Sequence, residues 1–308
     1  MSWKTSVLAF ILFLTACNNN EPKQLTAVSS SYLLEPAELV ELQKQVNTII
    51  LDFRKEEAYK SEHIRGALNI WRTDIEDSTF AYNGMMASPA QIETLFSNLG
   101  IKTDDVLVIY DDNGLCDASR LWWVLQNYNF TNVKLLHGGI SAWKAIGGAL
   151  SNEIPVVQKS QFKFTEKPLM SYYVSKEEVA EALKNNAVIL DTRGVDEFNG
   201  VVKKDGASKA GRVPNSIHID WAEAINYGGD QRFKSIEELE KIYSKLNVAK
   251  EDPIIVYCHS GVRSAHTSFV LTQLLGYKNV KNYDGSWTEW SYFNDLPIET
   301  GSITTKKN

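Results

Sequence analysis

Short apolar runs alternate with amphipathic stretches along most of this chain. Apolar runs with the length of a buried strand lie at 48–51, 106–109, 133–136, 187–190 and 254–257, and a further strand is predicted at 280–283. Stretches with helical spacing of apolar residues lie between them, at 38–45, 89–99, 119–128, 176–184, 236–246 and 264–275. This alternation is typical of a mainly parallel sheet covered by helices on both faces. The pattern therefore predicts the α/β class.

The second half of the chain repeats the pattern of the first. Residues 108–114, Val-Ile-Tyr-Asp-Asp-Asn-Gly, align with 255–261, Ile-Val-Tyr-Cys-His-Ser-Gly, at an offset of 147 residues. Trp143 aligns with Trp290 at the same offset. A repeat this long indicates two copies of one fold and not a short solenoid unit.

The length of 308 residues permits two separate cores. We expect one domain at 32–150 and a second at 171–301. The segment 151–170 carries Pro155 and Pro168 and few periodic apolar residues, so it is the predicted linker. With 44% hydrophobic and 23% charged residues and a net charge of −6, the composition is that of an ordinary globular protein. No basic run is present that would favour nucleic acid as a partner.

The amino terminus has a targeting pattern. Lys4 precedes an apolar run at 7–14, which is too short to span a bilayer and predicts a secretory signal. Leu-Thr-Ala-Cys, ending at Cys17, resembles the bacterial lipobox. That resemblance implies a signal peptide at 1–17, acylation of Cys17, and an exported protein anchored to a bacterial membrane, facing the periplasm. Residues 18–31 would be a flexible leash. The alternative is an ordinary cleaved signal with an incidental cysteine.

Cys258 lies where an apolar strand pattern gives way to a helix pattern. Backbone N–H groups at such a turn and the helix N-terminus favour an anion, and Arg263 adds a full positive charge. The sequence therefore predicts that the thiol pKa is lowered and that Cys258 is a nucleophile. The alternative is a buried cysteine that only fills space. The loop residues between Cys258 and Arg263, which would bind the substrate, are His259, Ser260, Gly261 and Val262.

The spacing between Cys258 and Arg263 narrows the class of reaction that the loop can serve. Four residues separate Cys258 from Arg263, whereas five would suggest a cysteine phosphatase. The tighter loop suits a single additional sulfur atom, held as a persulfide.

The loop resembles that of the rhodaneses, a family of sulfurtransferases. Residues 59–70 are similar to the family's amino-terminal signature, with Arg65 in place of the usual proline, and residues 280–290 are similar to its carboxy-terminal signature. The chain is identified as a member of the tandem-domain group, the thiosulfate and 3-mercaptopyruvate sulfurtransferases, in a lipoprotein form.

The resemblance implies a double displacement. Cys258 takes a sulfane sulfur from thiosulfate or 3-mercaptopyruvate, and a thiophilic acceptor, cyanide or a thiol, then collects it. No metal and no organic cofactor is implied, and we expect a monomer. Asp111 aligns with Cys258 in the first domain, which is therefore predicted to be non-catalytic.

The resemblance also assigns roles to charged residues. Arg193 stands where the family has an arginine near the substrate, and Asp191 is the acidic residue that supports it; the alternative is a salt-bridged strand terminus. Arg263 either pairs with the donor or lowers the thiol pKa. His259 donates a hydrogen bond to the leaving group or faces solvent. Glu197 lies where mercaptopyruvate enzymes have a further arginine, which disfavours that donor.

Several alternatives stay open at this point. The same loop could serve a non-enzymatic module that senses or carries sulfur, and a cysteine phosphatase or arsenate reductase is the less favoured enzyme class. Ser260 could bind the donor or cap the following helix. Cys116 aligns with Arg263 and not with Cys258, so it is expected to be a partly buried bystander. A permanent bridge between Cys116 and Cys258 would silence the nucleophile and is not expected.

Overall fold

The computed structural model describes residues 25–45, 47–185 and 187–302. Two halves follow one another along the chain. The strands of the first half are β1 (Leu33–Leu34), β2 (Thr48–Asp52), β3 (His63–Ile64), β4 (Leu68–Asn69), β5 (Val106–Tyr110), β6 (Val133–Leu136) and β7 (Leu150–Ser151). Its helices are α1 (Pro36–Leu42), α2 (Glu56–Ser61), α3 (Pro89–Asn98), α4 (Ala118–Asn127) and α5 (Gly139–Ala145).

The second half repeats this order. Its strands are β8 (Tyr173–Val174), β9 (Val188–Asp191), β10 (Ile217–His218), β11 (Ile254–Tyr257) and β12 (Val280–Tyr283). Its helices are α6 (Lys176–Lys184), α7 (Val195–Phe198), α8 (Ile236–Tyr243), α9 (Val262–Phe269) and α10 (Ser286–Tyr292).

Each half is built on one five-stranded sheet. The strand order is β1-β6-β5-β2-β4 in the first and β10-β9-β11-β12-β8 in the second, and every neighbouring pair in them is parallel. The two orders are the same when read in opposite directions, so the predicted repeat extends to the topology. A small antiparallel pair, β3 with β7, lies outside these sheets. The α/β prediction is confirmed.

Local sequence signals set several helix starts. Ser88, Ser175 and Ser235 each accept a hydrogen bond from a backbone N–H one turn into the helix that follows. The side chain three residues later bonds back to the serine N–H in each case, which completes a capping box. The predicted helix at 264–275 begins earlier, at Val262, and widens into a π-helical turn at Val270–Leu274.

The two halves share one hydrophobic core where α4 packs on α9. Trp122 on α4 meets Phe269 on α9 edge to face, with ring centroids 4.9 Å apart. Trp123 donates its indole N–H to the carbonyl of Tyr172, in the segment that enters the second sheet. Because both helices begin beside the loops that follow β5 and β11, this packing brings the two loops to a common cavity.

The linker and the amino-terminal segment both contact helices of the two halves. Phe162, in the predicted linker, is buried and packs edge to face against Phe96 of α3. Thr26 donates its hydroxyl to the Glu237 carboxylate at 2.6 Å, and its carbonyl accepts the N–H of Ile236. Thr26, which lies within the leash predicted at 18–31, is therefore bound to the start of α8.

The signal peptide at 1–17 and Cys17 lie outside the described residues. Within the described ranges, no helix has both the length and the apolar character needed to cross a membrane.

Candidate active site

The loop that carries Cys258 joins β11 to α9 at the carboxyl end of the sheet, where open α/β sheets bind ligands. Gly261 caps α9 with a φ of +74°, and a Cβ at this position would lie 2.6 Å from the carbonyl oxygen of Asp284. Only glycine fits this corner without strain. The Ser286 hydroxyl accepts the N–H groups of both Cys258 and Gly261 at 3.1 Å. The loop is therefore fixed at both ends.

The environment of Cys258 favours the thiolate. Burial by itself would raise the thiol pKa, because the side chain is almost fully enclosed. The charge of Arg263, together with the nearby Ser264 hydroxyl and the backbone N–H groups of Ser264 and Ser260, outweighs it, so the pKa is lowered. The Ser264 hydroxyl is buried and forms no other hydrogen bond among the described residues. It is thus available to the sulfur.

Arg263 is held in a two-pronged ion pair. Its guanidinium donates to both carboxylate oxygens of Glu197, at 2.7 and 2.9 Å. Burial opposes ionisation of Glu197, but the hydrogen bonds and charge of Arg263 lower its pKa overall. Because Glu197 occupies this face of the guanidinium, the geometry favours the second of the two predicted roles of Arg263, in which its charge stabilises the thiolate.

Cys258 lines a cavity of about 350 Å³ between the two halves. The second half contributes Cys258, His259, Ser260, Val262, Arg263 and Lys204, and the first contributes Arg72, Glu76, Asn83, Asn113 and Cys116. Both halves therefore build the cavity. Of the loop residues predicted to bind the substrate, His259, Ser260 and Val262 line it, whereas Gly261 does not.

His259 is neutral at physiological pH. Burial lowers its pKa to about 4. Its Nε2 lies 2.9 Å from the carbonyl oxygen of Asp205 and must donate to it, which leaves the buried Nδ1 as an acceptor without a partner among the described residues. The predicted donation from His259 to a leaving group is therefore not supported, because its one ring proton is already used.

Cys116 faces the same cavity but is a different kind of thiol. Burial and the nearby Asp117 carboxylate raise its pKa well above that of free cysteine, so it stays protonated. Both Cys116 and Cys258 are free thiols in the structure. Only Cys258 is therefore expected to be nucleophilic near neutral pH.

The corresponding loop of the first half is filled by its own side chain. The Asp111 carboxylate accepts backbone N–H groups from Asn113, Leu115, Asp117 and Ala118 at 2.9 to 3.0 Å. Burial and the Asp117 charge raise the Asp111 pKa to about 7, against the hydrogen bonds from Ala118, Asn113 and Leu115. The Asp111 carboxylate thus binds the N–H groups of its loop at the position that aligns with Cys258 in the second half. These N–H groups are therefore not available to an external anion.

Arg193 does not reach the cavity, contrary to the substrate-binding role predicted for it. It is buried, pairs with Asp191 at 2.6 Å, donates to the carbonyl of Gly211 at 2.8 Å and stacks on the ring of Trp287. Asp191 also accepts the Tyr257 hydroxyl at 2.6 Å. The pair closes the end of β9, which was the alternative interpretation.

The first half contains the same arrangement, although Asp111 stands there in the position of Cys258. Arg54 pairs with Asp52 at 2.6 Å, and Asp52 accepts a hydroxyl from Tyr110. Because that half lacks the nucleophile, this repeated pair maintains the fold.

Two further cations line the cavity, and the sequence did not predict either of them as a site residue. Arg72 lies on a 3-10 turn of the first half and is held by Asp117, and its charge interacts with both cavity thiols. Lys204 lies in the irregular segment between α7 and β10, is exposed, and has no ion pair among the described residues. Neither belongs to the signatures or the loop, so no local pattern marked them.

Known proteins resemble this chain over most of its length. The family described as Rhodanese-like domain matches it twice, at residues 35–146 and 175–292. A relative from Mycolicibacterium smegmatis, named "Putative thiosulfate sulfurtransferase", is 37% identical over 253 residues, which cover 80% of this chain and 88% of the relative. A second, from Thermus thermophilus and named "Sulfur carrier protein TtuD", is 33% identical and covers 79% of this chain and 87% of its own length.

Solved structures show the same fold. The EanB Y353A variant in complex with ergothioneine superposes with a TM-score of 0.78 at 22% identity, over 88% of this chain and 70% of that one. The repeated fold, the two family matches and the curated relatives agree with one another. The chain belongs to the rhodanese family and carries two rhodanese-like domains in tandem.

Proposed function

We propose that the protein is a sulfurtransferase that takes a sulfane sulfur from thiosulfate and passes it to a thiophilic acceptor through a persulfide on Cys258. The observation that supports this most is the lowered pKa of the Cys258 thiol in a loop that opens on a cavity built by both domains. The relative named for thiosulfate sulfur transfer, at 37% identity, supports the same reaction class.

Two displacements make up the proposed reaction. The Cys258 thiolate attacks the outer sulfur of thiosulfate, the S–S bond breaks, and sulfite leaves with the electron pair. Cyanide or a thiolate then attacks the outer sulfur of the persulfide and releases the Cys258 thiolate. Backbone N–H groups of the loop stabilise the anionic sulfur in both steps, since they are already oriented before the donor arrives.

The charges of the cavity favour thiosulfate over 3-mercaptopyruvate. Glu197 already binds both prongs of Arg263, which leaves no free arginine fork for the carboxylate of mercaptopyruvate. Lys204, which has no ion pair among the described residues, supplies positive charge that suits a compact dianion. No metal or organic cofactor enters this reaction.

A sulfur carrier is the second candidate, because a relative at 33% identity carries that name. The two proposals share the persulfide and differ in the acceptor. Steady-state formation of thiocyanate from thiosulfate and cyanide, with parallel double-reciprocal plots, would support the enzyme. A persulfide that forms but is not turned over by cyanide or small thiols would favour the carrier.

Lys204→Met should raise the KM for thiosulfate by roughly fivefold with a smaller change in kcat, because an exposed cation contributes mainly to binding of the anionic donor. Lys203→Met is the matched control, since Lys203 is the exposed neighbour that does not line the cavity. Equal KM values for the two variants would exclude Lys204 from donor binding.

We further propose that the mature protein is exported and anchored by lipid on Cys17 to a bacterial membrane, facing the periplasm, as a monomer. The lipobox-like sequence supports the anchor, and a cavity completed within one chain supports the monomer. Cys17→Ser should move the protein from the membrane to the soluble fraction with its activity retained. Continued fractionation of that variant with membranes would exclude the anchor.

A further inference from the structure

Arg120 crosses the boundary between the two domains. It lies on α4 of the non-catalytic domain and is buried, with its guanidinium 4.8 Å from the centre of the Trp123 ring. One guanidinium nitrogen, Nη2, donates to Asp284 of the catalytic domain at 2.6 Å and to the carbonyl of Gly84 at 2.7 Å. This arginine is therefore fixed by contacts on both sides of the boundary.

The other terminal nitrogen of Arg120 lies against the corner of the Cys258 loop. Nη1 is 3.5 Å from the carbonyl oxygen of Gly261 and would be 2.7 Å from a Cβ at that glycine. The same carbonyl accepts the side-chain N–H of Asn282 at 3.0 Å, while the Gly261 N–H is bound by Ser286. The non-catalytic domain thus contacts the Gly261 corner through Arg120, alongside the contacts that Asn282 and Ser286 make from the catalytic domain.

Asp284 carries the connection further. Its second carboxylate oxygen accepts the backbone N–H of Met86, so both domains hold it. Two residues later, the Ser286 hydroxyl accepts the backbone N–H of Cys258 itself. An uninterrupted series of contacts therefore runs from α4 to the nucleophile.

We infer that Arg120 is a positioning residue, through which the non-catalytic domain sets the geometry of the thiolate loop. The inference rests on the proposed function and gives a physical reason why sulfur transfer requires the non-catalytic domain. Asp284 compensates the charge of Arg120, so Arg120 acts by holding Gly261 and its neighbours in place and not by attracting the thiolate. Hydrogen bonds to an anion weaken steeply when their donors are misaligned, so a displaced corner weakens the cradle.

The test compares Arg120→Gln and Arg120→Lys with Arg54→Gln. Arg54 is a matched control because it is also a buried, ion-paired arginine of the first domain, but it contacts Asp52 and the Glu62 carbonyl and not the loop. For each variant we would measure the melting temperature, the pH dependence of Cys258 alkylation, and the kcat and KM for thiosulfate.

Both Gln variants should melt at a lower temperature than the wild type. Only Arg120→Gln should slow alkylation of Cys258 at pH 7 and lower kcat, each by about tenfold, with KM within about twofold. Arg120→Lys should have an alkylation rate and a kcat between those of Arg120→Gln and the wild type, because lysine keeps the charge but lacks the second terminal nitrogen that contacts Gly261. This variant keeps the test decisive if Arg120→Gln does not fold.

Wild-type alkylation and kcat in a folded Arg120 variant would overturn the inference, as would an equal loss in Arg54→Gln. The alkylation profile does not depend on any sulfur donor. If the wild type forms no persulfide, the proposed function fails, while the alkylation profile still decides whether Arg120 positions the loop.

Discussion

Cys258→Ser should lower the rate of sulfur transfer by about a thousandfold or more, because a serine hydroxyl is not ionised near neutral pH and cannot hold a sulfane sulfur. The change is nearly isosteric, and the backbone contacts that fix the loop come from Ser286 and not from the thiol. The melting temperature should therefore stay close to that of the wild type. Thiocyanate formation from thiosulfate and cyanide measures the loss.

This variant also tests the second thiol of the cavity. Cys116 remains in it and lines the same space, but its raised pKa keeps it protonated. Sulfur transfer within about tenfold of the wild-type rate would show that another group, foremost Cys116, accepts the sulfur, and would contradict the assignment of Cys258.

Arg263→Met should raise the pKa of Cys258, because the variant loses the cation that offsets the burial of the thiol. With a higher pKa, a smaller fraction of the Cys258 thiol is ionised at pH 7. Alkylation of Cys258 at pH 7 should fall by about tenfold and recover at higher pH. The pH dependence of kcat/KM should shift in the same direction.

Glu197→Gln is the matched control, because it breaks the same ion pair from the other side. It leaves the Arg263 charge without its carboxylate, so the thiol pKa should fall or stay low and alkylation at pH 6 should be at least as fast as in the wild type. Shifts of both profiles in the same direction would attribute the effect to loop distortion and contradict the electrostatic role of Arg263.

The sequence predicted the central strands well and the edge strands poorly. β11 has the predicted bounds, because a buried parallel strand such as Ile254–Tyr257 is a continuous apolar run with clear ends. β12 also has the predicted bounds, although Lys281 and Asn282 interrupt its apolar residues. β4 and β10 contain two residues each, which is too short for any periodicity to mark them. Their pairing is decided by the neighbouring strand and not by their own composition.

The residues of the site were also predicted where the signal is local in sequence and missed where it is not. The Cys258 loop could be predicted because its nucleophile, glycine corner and arginine lie within six consecutive residues. Arg72 and Arg120 could not, since they reach the cavity or the loop from the other domain through tertiary packing. Arg193 was misassigned because a strand-end arginine looks the same in sequence whether it faces a substrate or, as here, pairs with Asp191.

The intact mass of the chain from Leu25 onward, taken after brief incubation with thiosulfate, tests the central claim most directly. We predict a gain of one sulfur atom, mapped by peptide analysis to Cys258, absent from Cys258→Ser and removed by cyanide. Incubation with 3-mercaptopyruvate in parallel identifies the preferred donor. No gain of mass with either donor, from a folded and fully reduced sample, would contradict the persulfide mechanism.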